Sequence, residues 1–211
     1  MNEIDFLINE YKPYDALENK HIARLRHFTS HKENIYERSN DGSGCITASC
    51  IVVNEDMTKV LVMHHILHDF YKQFGGHADN NPNLAEVALT ELKEEGHLDG
   101  KLLSGKPIDF VIWSFGEHVK NGTTIPQHLI YDAAFLVQIP ENCVPKVAPD
   151  EGFDIKWISM EEWRDMKFDP NNSVIKDNPH NSHYNKRIYE KVMDFRLGRQ
   201  FLREKNKKYK D

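Results

Sequence analysis

Apolar residues recur with two different periods along this chain, and the switches between them mark its elements. Phe6, Leu7, Tyr11, Leu17, Ile22, Leu25 and Phe28 follow near-helical spacing around Pro13, which predicts two short helices. The stretch Ser39-Asn40-Asp41-Gly42-Ser43-Gly44 collects turn formers and reads as a turn or linker. β-rich segments then fall near Ile46–Val53, Lys59–His65, Ile108–Glu117, Gln127–Ile139 and Phe153–Ile158. Between the second and third of these, Ala85, Ala88, Leu89 and Leu92 form a helical stripe that can face a sheet. Strands alternating with a few helices indicate a mixed α/β layered domain. Beyond Trp163 a polar loop runs from Asp169 to Asn181, followed by a helix over 182–205 whose Ile188, Val192, Phe195 and Leu202 pack on the core or on a partner subunit. The tail Lys205-Asn206-Lys207-Lys208-Tyr209-Lys210 reads as a solvated, frayed end.

Composition narrows the function classes. With 211 residues, 39% of them hydrophobic, one core suffices and one domain over 1–211 is the expected count. A net charge of −6 argues against a general grip on nucleic-acid phosphates, while a small phosphorylated substrate met through a metal stays compatible. Twelve histidines would shift that balance in mild acid. No apolar run approaches the length that spans a bilayer. Cys45, Cys50 and Cys143 follow no CxxC spacing, and with no signal-like start they point to a reducing, cytoplasmic setting.

The candidate chemistry centres on Glu91, Glu94 and Glu95, which share one helical turn after the paired glycines Gly75-Gly76. Like charges so placed repel by a few tenths of a kcal/mol per pair, so a compensating hard cation such as Mg²⁺ is one reading and a solvated helix face is the other. The helix start is open between Asn81 as cap with Pro82 at the first helical position, and Asn83 as cap with Glu86 closing a capping box. His64, His65, His68 and His77 are the rival metal cluster, but adjacent strand residues point to opposite faces, so His64 and His65 do not enter one site. His77 follows the glycine turn and serves either loop packing or a substrate contact. His128 and Asp132, four apart, share a strand face and line one cleft or hydrogen-bond each other. Tyr71, Phe74, Trp113 and Tyr131 are either base-stacking or core aromatics.

The stretch from Gly76 to Leu98 resembles, at full length and without a gap, the box of the Nudix (MutT-like) hydrolases, G-x5-E-x7-R-E-U-x-E-E-x-G-U with U a bulky aliphatic residue. Gly76, Glu91, Leu92, Glu94, Glu95 and Leu98 fall on its fixed positions. The box is degenerate: Pro82 stands where the first Glu belongs, Thr90 where the Arg belongs and His97 where the last Gly belongs, with Gly96 one place early. The family's first Glu and Arg are described as paired, and this chain lacks both, which leaves no orphaned charge. The flanks are similar to one bacterial subgroup: Cys45 to Asn54 as opening strand, His64-His65 before Tyr71 and Gln73-Phe74-Gly75-Gly76-His77, then His128-Leu129-Ile130-Tyr131-Asp132, and Trp157 to Trp163 as closing strand and helix.

That resemblance implies an α/β/α sandwich around a mixed β-sheet, with a core over 45–165, an N-terminal helical extension over 1–40 and a C-terminal one. It implies a metal-dependent hydrolase cleaving a diphosphate linkage in a nucleotide derivative. Mg²⁺ or Mn²⁺ would be held by Glu91, Glu94, Glu95 and a backbone carbonyl at Gly76, the same three glutamates serving catalysis and His77, His128, Tyr131 and Asp132 contacting substrate. Which glutamate is the base, which diphosphate is cleaved and whether the protein is a homodimer stay open. The alternative is a catalytically weak nucleotide-binding or regulatory module, motivated by Pro82 and Thr90.

Overall fold

The computed structural model describes residues 3–38, 42–66, 69–120, 122–148, 152–166 and 181–198. The expected loop over 169–180, the Lys-rich tail, Leu202, His68 and the first half of the 39–44 linker lie outside the described residues.

Two long strands form the centre: β1 (Cys45–Val53) and β9 (His128–Gln138) run parallel over nine residue pairs, from Cys45 with Ile130 to Val53 with Gln138. Both are buried along nearly their whole length, as the continuous apolar runs require. The outer edge of each is shared by two antiparallel segments. On β1, β2 (Lys59–His65) takes the Val52–Val53 end and β4 (Phe74–His77) takes Thr47 to Cys50. On β9, β5 (Lys101–Leu102) takes the Gln138 end and β6 (Asp109–Phe115) the His128 end. The short β3 (Phe70–Lys72) pairs with β2, so the chain through Gln73 crosses from a β2 partner to a β1 partner. β10 (Gly152–Ser159) completes the sheet beside β2. A separate hairpin joins β7 (His118–Lys120) to β8 (Thr123–Ile125).

Helices cover both faces. Even-numbered β1 residues such as Ala48 and Cys50 share a core with Ile4 and Ile8 of α1 (Glu3–Glu10), Ile22 and Leu25 of α2 (Ala16–His31), and Leu84, Ala88 and Leu92 of α3 (Leu84–Gly96). The predicted stripe of α3 does face the sheet: Ala88 and Leu92 are fully buried, with Ala85 and Leu89 packed at their sides. On the other face Ile51, Val53, Ala134 and Leu136 meet Trp163 of α4 (Met160–Asp165) and Tyr184, Ile188 and Val192 of α5 (Asn181–Arg196). The result is the expected α/β/α sandwich with a mixed sheet. The first of the two predicted N-terminal helices is short, whereas α2 extends over 16 residues and is capped by the Asp15 carboxylate on the Glu18 N–H. The C-terminal helix packs on the core, one of the two placements expected of it.

Side chains close the outer edge of β6. The Ile108 carbonyl accepts from Tyr11 Oη at 2.9 Å and Lys191 Nζ at 2.8 Å, and the Phe110 N–H donates to Glu18 Oε1 at 3.3 Å. An edge occupied in this way offers no template for another strand. The same groups belong to a buried charge network, in which Lys191 bridges Glu18 at 2.5 Å and Asp109 at 2.6 Å while Arg187 grips Asp109 through two bonds of 2.8 Å. Two cations and two carboxyl groups, each almost wholly buried, thus fasten α2 to α5 through one strand.

Candidate active site

Local backbone chemistry places the paired glycines under α3. Gly75 lies opposite Ser49 and Gly76 opposite Ala48 in the β4–β1 ladder. A Cβ at Gly75 would stand 2.6 Å from the Ala48 carbonyl oxygen and 2.7 Å from Ser49 Cα, so β4 approaches β1 closer than a side chain allows there. At Gly76 the missing Cβ leaves room for Glu91, whose Oε1 would be 2.2 Å from it. One turn on, Glu95 is buried and accepts from the Gly75 N–H at 2.9 Å. The i, i+4 pair Glu91 and Glu95 is therefore drawn onto the glycine strand, while Glu94 is exposed.

Start and end of α3 are set by particular side chains. Asn83 is the cap, accepting from the Glu86 N–H at 3.2 Å, and Asn81 accepts from the Asn83 N–H at 2.9 Å. Pro82 therefore precedes the cap and is not the first helical residue. Glu86 reaches back to the Asn81 side-chain amide at 3.5 Å, so it serves the helix start. At the far end His97 takes the left-handed conformation, φ 54° and ψ 38°, with Nδ1 3.1 Å from the Lys146 carbonyl. Gly96 is instead the last helical residue, packed beside Phe74.

Three of the four expected substrate-contacting residues share the face opposite α3. Asp132 is buried between strands and accepts from Thr47 Oγ1 at 2.7 Å and Ser49 Oγ at 2.6 Å. Burial raises its carboxyl above the ordinary range, against the pull of those two hydroxyls. His77 pairs opposite Thr47, which puts it on that same face, and His128 turns Nδ1 to the Pro126 carbonyl at 2.9 Å while stacking with Phe115. Tyr131 projects the other way and stacks on Phe28 of α2 with ring centroids 4.3 Å apart, because neighbouring strand positions alternate. Trp113 meets Tyr184 edge-on at 5.0 Å on the Asp132 side, where Gln73 also bonds Tyr184 Oη.

The rival histidine cluster separates as strand geometry demands. His64 lies edge-on against Tyr71 and 3.7 Å from Asp69, while His65 is buried on the other side of β2. Among the described residues no group of three or more His, Cys, Asp and Glu side chains converges as a metal site. Cys45 and Cys50 are no alternative nucleophiles, since burial pushes Cys45 up to about 11 and Cys50 well above the ordinary value.

The donor set beside Gly76 nevertheless suits a hard divalent cation. Two carboxylates and backbone oxygens, with further positions left to water and substrate phosphate, are the usual complement of Mg²⁺. The cradle at Gly76, filled by the Glu91 carboxylate, is the local feature that a Cβ would abolish.

No family model and no curated protein matches this chain. Solved structures do. The Escherichia coli dihydroneopterin triphosphate pyrophosphohydrolase superposes with a TM-score of 0.50 at 15% identity, covering 74% of this chain and 98% of that one. A MutT protein from Methanosarcina mazei gives 0.47 at 15% identity, covering 74% and 96%, and a NUDIX-family hydrolase from Clostridium perfringens gives 0.44 at 20%, covering 68% and 97%. At these identities the likeness speaks for architecture alone, and that architecture, a curled mixed sheet between helices, is the Nudix fold.

Proposed function

We propose that this protein is a metal-dependent hydrolase of a diphosphate linkage in a small phosphorylated, nucleotide-like substrate. The observation that carries this reading is the joint placement of Glu91 in the space left by Gly76 and of Glu95 on the Gly75 N–H. Two carboxylates brought to one glycine strand are oxygen donors of the kind a hard divalent cation takes.

Glu91, Glu95 and the Gly76 carbonyl would hold Mg²⁺ or Mn²⁺, which when bound neutralises phosphate oxygens and lowers the pKa of water. The Gly75 N–H fixes the rotamer of Glu95 and thereby its second oxygen. Glu94, exposed on the same helix, is free to orient the attacking water or take its proton. Asp132, His77 and His128 occupy the opposite sheet face, where a base or sugar would meet a protonatable carboxyl and two imidazoles. Thr90 and Pro82 are exposed and replace the box Arg and first Glu with uncharged groups. That observation favours the second reading, a nucleotide-binding module with weak turnover.

The test is phosphate or nucleotide release from nucleoside triphosphates, dinucleoside polyphosphates, nucleotide sugars and a pterin triphosphate, with Mg²⁺ and with Mn²⁺. Turnover that needs metal and collapses in folded Glu91→Gln and Glu95→Gln proteins supports the hydrolase. Metal and nucleotide binding without turnover on any compound selects the binding module.

A further inference from the structure

Resting on the hydrolase reading, we infer that the N-terminal segment braces the site: Arg38 and Tyr36 are positioning residues for the loop that carries Gly75-Gly76 to α3. The loop over 78–83 must turn sharply, and two consecutive non-glycine residues in it, Asp79 at φ 45° and Asn80 at φ 70°, take left-handed conformations. Asp and Asn tolerate that region better than most residues, but it is still a strained conformation that persists where the surroundings hold it. Within the loop the Asn81 N–H closes the turn on the Ala78 carbonyl at 2.8 Å, and two further contacts reach it from the N-terminal segment. Arg38 donates to both oxygens of Asp79, Nε to Oδ1 and Nη2 to Oδ2, each at 3.1 Å. The Asn80 N–H donates to the Tyr36 carbonyl at 2.9 Å, and Tyr36 Oη in turn accepts from the Ile4 N–H at 3.1 Å at the start of α1. The ties from within the loop to the start of α3 are uncharged or long, Asn81 accepting from the Asn83 N–H at 2.9 Å and meeting Glu86 at 3.5 Å, so Arg38 supplies the two-pronged ionic contact.

Arg38 and Asp79 are both substantially exposed, with side-chain accessibilities of 40% and 56%. Such a pair adds little to global stability, so its contribution is the two-pronged geometry that fixes where the loop leaves β4. That geometry sets Gly76 against Glu91, and hence the carboxylate spacing a cation would meet.

The experiment is a double-mutant cycle on Arg38→Ala and Asp79→Asn, the latter chosen because Asn keeps the left-handed tolerance. Mn²⁺ affinity is read by electron paramagnetic resonance, and amide hydrogen exchange at 76–83 is read alongside. Each single variant should weaken Mn²⁺ about tenfold, the double variant no further, and exchange should rise at Ala78 and Asn80 with the melting temperature unchanged. Unchanged exchange and affinity in Arg38→Ala, or losses that add in the double variant, would overturn the brace while leaving the hydrolase standing. A wild-type chain that binds no Mn²⁺ would overturn the hydrolase reading and this inference with it.

Discussion

Gly76 and Glu91 share one space: the Glu91 Oε1 atom lies 2.2 Å from where a Cβ on residue 76 would be. The clashing atom is the far end of a flexible side chain. Gly76→Ala should therefore fold, losing no more than about 1 kcal/mol, while displacing the carboxylate. Mn²⁺ affinity and metal-dependent turnover should fall about a hundredfold, the cost expected of an ångström-scale misplacement. A binding titration beside a urea melt checks both halves. Wild-type affinity in the alanine variant would remove Glu91 from the proposed ligand set.

The neighbouring glycine should respond the opposite way. At Gly75 an added Cβ meets backbone, Ala48 O at 2.6 Å and Ser49 Cα at 2.7 Å, which cannot swing aside. Gly75→Ala should destabilise the fold by about 2–3 kcal/mol by prying β4 from β1. The loss should show in the urea midpoint whether or not metal is present.

The long central strands were legible because their cores are unbroken apolar runs, and the five expected β-segments match β1, β2, β6, β9 and β10 to within a residue or two at most ends. β3 and β4 were not, since Tyr71 to Gly76 has no alternation, contains two glycines and changes partner midway. The β7–β8 hairpin is three residues a side with little apolar content. Of the candidate site, the glutamates and their distance from Gly76 were visible. The support from Arg38 was not, because its partner is 41 residues away and exposed. Likewise Glu18 and Lys191 are 173 residues apart and read singly as solvated charges. One signal was present: Arg187 and Lys191 are spaced by four beside Tyr184, Ile188 and Val192, which puts both cations on the buried face of α5.

His97 adopts the left-handed helix cap that glycine accepts without steric cost. Its bond to the Lys146 carbonyl offsets part of the strain. His97→Gly should stabilise the protein by about 0.5–1 kcal/mol, with no change in metal affinity. A raised melting temperature at unchanged Mn²⁺ affinity is the expected result. Destabilisation would mean that the Lys146 contact outweighs the strain.

The buried network links stability to pH through Glu18. Burial and the adjacent Asp109 carboxylate push the Glu18 carboxyl from 4.5 up to about 7, against the pull of Lys191. Asp109 moves the other way: it is held well below its ordinary value by Arg187 and Lys191, which overcome the cost of its burial. A carboxyl raised on folding binds its proton more tightly in the native state, so the stability it contributes is fully present below about pH 4.5 and is lost as pH rises through about 7. Asp109 contributes with the opposite sign, above its unfolded value and increasingly lost in acid. Glu18→Gln should therefore flatten the fall in stability between those two pH values. Asp109→Asn strips Arg187 and Lys191 of a shared partner and should cost about 3–5 kcal/mol at neutral pH. Urea unfolding of wild type and Glu18→Gln across pH 4 to 8 reads the difference directly. Parallel curves over the whole range would show that Glu18 keeps its ordinary pKa in the folded chain, and that Lys191 outweighs burial.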